Sequence, residues 1–322
     1  MRRTIKLVTL AAMLAVFAAP AFAQAKECND EFKSATYQKW YDNRKDHQDV
    51  AYAAAKEYLS VCAADDSAYK TALKKFADAY DAMTASATTA KQFEDAVKNK
   101  NFAEQIRLGK LVLANSPDNT TVYIIMGMAG LSEPSVLNES AQYAKKAIEM
   151  IEAGKPAAPY ARDQALATLN YVIASATVKN DPTTAIPFFV KALKLESDLK
   201  KNPQVYAQLA GAYGAGPVTK LTNDYKIFVG KDETPESKLA IANLNQVIDR
   251  QIDALARAAA VATNPADKKN VMDVLTGIYK DRNKSEAGLN ELVAGILQKP
   301  LPEFPTPLTS LPTPVSTPAT TG

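Results

Sequence analysis

Gln204-Val-Tyr-Ala-Gln-Leu-Ala-Gly-Ala-Tyr213 is the stretch from which the fold can be argued outward. Its large side chains, Tyr206, Leu209 and Tyr213, recur at three- and four-residue steps, with small residues between them. That spacing places one apolar stripe along a helix. Small residues beside the stripe let a second, antiparallel helix approach closely, while the large ones fill the groove left between the pair. Such a hairpin exposes an apolar edge that only a neighbouring hairpin can cover.

The same alternation recurs upstream. Asn180-Asp181 followed by Ala185, Phe189, Ala192 and Leu193 reads as the second helix of a pair, and so does Phe102, Ile106, Gly109 and Leu113 closed by Pro117. Tyr123, Met126 and Gly127 open a new first helix, with Ala144, Ala147 and Ile148 packing in its partner. On these residues the chain, over roughly positions 90 to 215, resembles the tetratricopeptide repeat family. If Gly109 and Ala144 are equivalent, the offset is about 35 residues, near the family period of 34. There are departures from the pattern. Pro187 falls inside a second helix, where it removes a hydrogen bond and is expected to kink it. Pro217 to Glu233 lacks the residues expected after Tyr213, so that repeat is incomplete or carries an insertion.

Elsewhere the chain also reads as helix. Glycine is sparse, Ala, Leu and Lys are abundant, and period-two alternation of β-branched residues is almost missing. Asp181-Pro182, Thr234-Pro235 and Asn264-Pro265 each put a capping oxygen before a proline at the first helical position. An all-α fold is expected: a tetratricopeptide-like solenoid of antiparallel helix hairpins with a C-terminal helical cap and a disordered proline-rich tail. The expected divisions are a leader over 1–23, a helical hairpin region over 24–83, repeats over 84–233, the cap over 234–298 and the tail over 299–322. Within 31–83, Tyr37, Trp40 and Tyr41 are expected to face Tyr52, Ala55 and Tyr58 across the turn at Asp46 to Asp49.

The leader follows from Arg2, Arg3 and Lys6, the apolar run Leu7 to Phe17, and Ala21-Phe22-Ala23 after Pro20, which together read as a cleaved signal peptide. The run is too short to span a bilayer, so a periplasmic or secreted protein without a membrane span after cleavage is expected. Three of the 38 Lys and Arg lie in that leader, and the remainder matches the 35 Asp and Glu. A neutral chain with no basic cluster has no electrostatic footprint for nucleic acid. Cys28 and Cys62, the only cysteines, are a candidate disulfide in an oxidising compartment; the alternative is two independent buried thiols.

No catalytic, metal or cofactor site is expected. His47 is the single histidine and lies in a charged turn, two cysteines are too few for structural zinc, and Gly211, Gly214 and Gly216 end a helix instead of following a strand. What remains is a surface. The tetratricopeptide resemblance implies an inner face lined by first helices: Thr121, Ile124 and Met128, then Asn170 and Ala174, then Gln204 and Ala207. This lining suits an extended protein or peptide segment, although Ile124 and Met128 could equally be core. A scaffold for protein–protein interaction is the leading expectation. A small-ligand or glycan binder using Trp40, Tyr41 and Tyr123 as exposed rings is the alternative.

Overall fold

The capping residues sit where the chain needs them. In this computed structural model, which describes residues 26–311, Asn29, Asn101, Asn119, Asp181, Asn202, Thr234 and Asn264 each accept a backbone N–H at a helix start. Each such cap contributes about 1 kcal/mol. At Thr234 the bond is reciprocal, with Ser237 Oγ receiving the Thr234 N–H. The leader expected over 1–23 and the tail residues 312–322 lie outside the described residues.

All regular structure among the described residues is helical. The helices are α1 (Asp30–Asn43), α2 (Gln48–Val61), α3 (Ala68–Lys98), α4 (Phe102–Asn115), α5 (Thr120–Ala129), α6 (Leu137–Glu152), α7 (Arg162–Thr177), α8 (Pro182–Lys194), α9 (Pro203–Tyr213), α10 (Thr219–Tyr225), α11 (Pro235–Val261), α12 (Pro265–Asn283) and α13 (Leu289–Gly295). They fall into two compact units, one ending at Ala85 and one beginning at Ser86. The division lies inside the continuous helix α3, so no chain break marks it.

In the first unit α1 and α2 form a hairpin whose core is small-on-large: Ala51, Ala54 and Ala55 pack with Trp40, Tyr58 and Leu73. Cys28 and Cys62 flank this hairpin and are joined as a disulfide, with Cα atoms 5.0 Å apart. Asp65, just beyond α2, accepts bonds from Lys33, Tyr58 and Ser67. The Lys33 bond, followed by the Ser67 hydroxyl, holds its carboxyl well below the usual carboxylate range.

In the second unit each helix from α4 to α8 packs on the next one in sequence. The apolar cluster of α3, α4 and α5 shares Tyr123 with that of α5, α6 and α7, which in turn shares Phe188 with the cluster running from α7 to α13. Glycines set the closest crossings. A Cβ on Gly127 would lie 3.0 Å from the backbone of Ala144, and one on Gly109 would strike Met126. After α9 the next neighbour is α11, not α10. The segment between them begins with a π-helical turn, Gly214–Val218. Gly214 caps α9 in the right-handed helical conformation, so the chain passes straight from α9 into this turn. Gly216 instead leaves room for the start of α8, where a Cβ would sit 3.0 Å from Thr183 N. α8 runs on through Pro187.

The expected cap helix α11 shares one core with α9, through Val247, Ile252, Leu255, Tyr206 and Leu209. One expectation needs correction here: the chain is not disordered from 299. Leu301 and Phe304 pack against that core, Pro305 is buried, and the main chain of 299–308 is hydrogen-bonded to α11. Proline excludes helix from this segment but does not prevent it from docking as an extended strap.

Candidate functional site

Asn119 starts α5 by accepting the Val122 N–H at 3.2 Å, and ten largely apolar residues follow. Three faces of this helix are used differently. Ile124 and Met126 are fully buried, Gly127 meets α6, and Thr121 and Ile125, four apart, remain half-exposed. These two border a groove of about 490 Å³ between α5 and the last three turns of α3. Ala90, Phe93 and Val97 of α3 form its opposite wall, and Glu94 and Lys98 place one charge of each sign on its rim. The floor is apolar and the rim is neutral. Such a surface offers apolar burial with one charge of each sign at its edge.

The predicted surface residues do not form one face. Thr121 lies on the α3–α5 groove, its hydroxyl donating to Ala158 O at 3.0 Å. Gln204 and Ala207 border a second groove, of about 340 Å³, together with Asp267, Asn270 and Val271 of α12. Met128 is half-buried against the α5–α7 cluster. Ile124 and Ala174 are buried completely, and Asn170 is 5% exposed with its amide donating to Leu166 O at 2.8 Å. Ile124 and Asn170 are therefore core residues, and their expected place in a binding surface is corrected. α7 is packed between α6 and α8, so its faces are covered. On α5 almost every residue is apolar, and hydropathy alone cannot say which side faces out.

Ring placement bears on the alternative reading. Trp40 is only 8% exposed, packed edge-on to Phe76 and beside Tyr37. Tyr41 is 49% exposed, but the Arg44 guanidinium lies 3.4 Å from its ring centroid and covers one face. Tyr123 is shared between two clusters and lies near Tyr143. Of the three rings, Trp40 is buried and Tyr41 keeps the largest exposed share.

Sequence reasoning misses Phe93, Val97 and Ile125. The first two were findable: Ala90, Phe93 and Val97 step by three and four through an otherwise polar helical stretch. Among the described residues no three His, Cys, Asp or Glu side chains gather in a metal-binding arrangement, and no helix is long and apolar enough to cross a membrane. Comparison with known proteins returns no matching family model, curated relative or solved structure.

Proposed function

We propose that this protein is an exported, non-catalytic scaffold of tetratricopeptide-like hairpins that binds an extended segment of another protein. The hairpins would be α5 with α6, α7 with α8 and α9 with α11, preceded by the end of α3 with α4. Their packing in sequence order and the shared apolar clusters support this reading. The disulfide fits an oxidising compartment. The observation that carries the binding function is the α3–α5 groove, an open apolar channel walled by Phe93, Val97 and Ile125.

Its test is a displayed peptide library selected against the chain lacking residues 1–23, with the enriched peptides titrated by calorimetry. Enriched peptides should lose ten-fold or more in affinity for Ile125→Asp. Ile125 is half-buried and packs on the edge of the α3–α5 cluster, so circular dichroism first establishes that the variant is folded. Peptides that bind wild type and Ile125→Asp equally, or no enrichment over an unrelated helical protein, would refute the assignment of this groove.

A further inference from the structure

After the last turn at Gln298 the chain reverses and runs extended along α11. Three α11 side chains, seven residues apart and hence on one face, hold it. Asn243 grips Leu308 twice: its amide donates to Leu308 O at 3.1 Å and its oxygen accepts the Leu308 N–H at 2.6 Å. Arg250 Nε donates to Glu303 O at 2.9 Å. Arg257 Nη2 donates to Lys299 O and Pro300 O at 2.9 and 3.0 Å. Every one of these contacts is to main chain. The ladder thus reads an extended shape, and sequence enters only through what the strap's side chains fill.

Those side chains fill their places unevenly. Phe304 stacks parallel to Tyr213 with centroids 6.0 Å apart, Pro305 is buried, and Glu303 pairs with Lys194. Beyond them the fit fails. A cavity of about 250 Å³ remains between Thr183, Leu221, Gln246 and Val247 on one side and Phe304–Pro307 on the other. Seven helical residues rise about 10.5 Å, which about three extended residues cover. The strap takes five residues between its contacts to Arg250 and Asn243, and this slack stretch borders the cavity. The cavity is open to solvent on one side. The groove has room for a bulkier side chain than its present occupant supplies.

We infer that the α8–α11 groove is a binding site for an extended, proline-rich segment of another protein, one with an aromatic ring at the Phe304 place and a large apolar residue two positions on. The strap 299–308 is a competing occupant in cis. A tethered occupant acts at an effective concentration in the millimolar range, so it keeps weak or mismatched segments out. The site uses none of the residues of the α3–α5 groove, and each of the two stands or falls without the other.

The experiment uses the full chain from residue 24 and two fluorescent peptides: residues 299–311 as they stand, and the same peptide with Thr306→Trp. Two variants loosen the strap. Phe304→Ala removes the stacked ring, and Glu303→Lys sets a like charge against Lys194 on the exposed edge, away from the core. The Thr306→Trp peptide is expected to bind either variant at least ten-fold more tightly than it binds wild type, and more tightly than the unaltered peptide does. Adding Asn243→Ala should abolish the gain. Absence of peptide binding to both folded variants at millimolar concentration would overturn the inference, as would binding indifferent to Asn243→Ala. Concentration-dependent dimers in light scattering, with no peptide bound, would overturn it in favour of a strap exchanged between two copies of this chain.

Discussion

Replacing Gly127 by Ala tests the close hairpin crossing on which the second unit is built. An added Cβ would sit 2.8 Å from Leu169 Cδ2 and 3.0 Å from both Cα and N of Ala144. Carbon atoms prefer about 3.5–4.0 Å. Ala144 presents backbone, and Leu169 is fully buried, so neither neighbour can simply rotate away. α5 must back off from α6 by about 0.5–1 Å, and overpacking of this kind costs about 1–3 kcal/mol. Ala also improves helix propensity by about 1 kcal/mol over Gly, and that gain has to be removed from the comparison. Gly211→Ala does so, because Gly211 lies on the exposed side of α9 with nothing within 4 Å of its Cβ position. Gly211→Ala is expected to match or exceed wild type, and Gly127→Ala to fall about 1–3 kcal/mol below Gly211→Ala. For a unit of this size that separates their melting midpoints by several degrees. Thermal scans by circular dichroism read the difference. A Gly127→Ala protein as stable as Gly211→Ala would refute the close crossing and with it the hairpin stacking.

Two further outcomes concern the first unit, whose buried Trp40 is the only tryptophan and therefore a local fluorescence reporter. Reducing Cys28–Cys62, which closes a loop of 34 residues, should lower that unit's stability by about 4 kcal/mol on the chain-entropy model; an unchanged Trp40 unfolding midpoint under reductant would contradict it. Asp65 has a depressed carboxyl in the folded chain, so its contribution is complete above the unfolded value near 4 and is lost as pH falls through the folded value. The gap in Trp40 midpoint between wild type and Asp65→Asn should therefore shrink on acidification from pH 6 to pH 2, and a constant gap would show that the Lys33, Ser67 and Tyr58 bonds do not couple to stability.

How far the sequence reaches is visible residue by residue. Asp181-Pro182, Thr234-Pro235 and Asn264-Pro265 each begin a helix where the dipeptide says they should. The Tyr206, Leu209, Tyr213 stripe is buried as its spacing implies. Val274 shows the limit: it fits the same periodicity as Leu275, yet it is 54% exposed while Leu275 is fully buried. The tetratricopeptide resemblance places Asn170 on an inner surface, but its amide donates to Leu166 O one turn back and is buried there. On α5 the reading slips by one position, Ile124 for Ile125, because the sides of that helix are almost equally apolar.

By itself, the sequence determined helix type, helix starts, small-residue crossings and the flanking positions of the two cysteines, because capping, periodicity and close approach are written in short stretches of chain. Tertiary structure decided the rest. α11, not the segment that follows α9 in sequence, became α9's partner. One side of α5 stayed open, and a proline-rich segment with no helical signal became a docked strap. These outcomes depend on which surfaces a distant helix leaves uncovered and on backbone groups that carry no sequence signature. Asn243, Arg250 and Arg257 look like ordinary polar positions until an extended chain is laid across them.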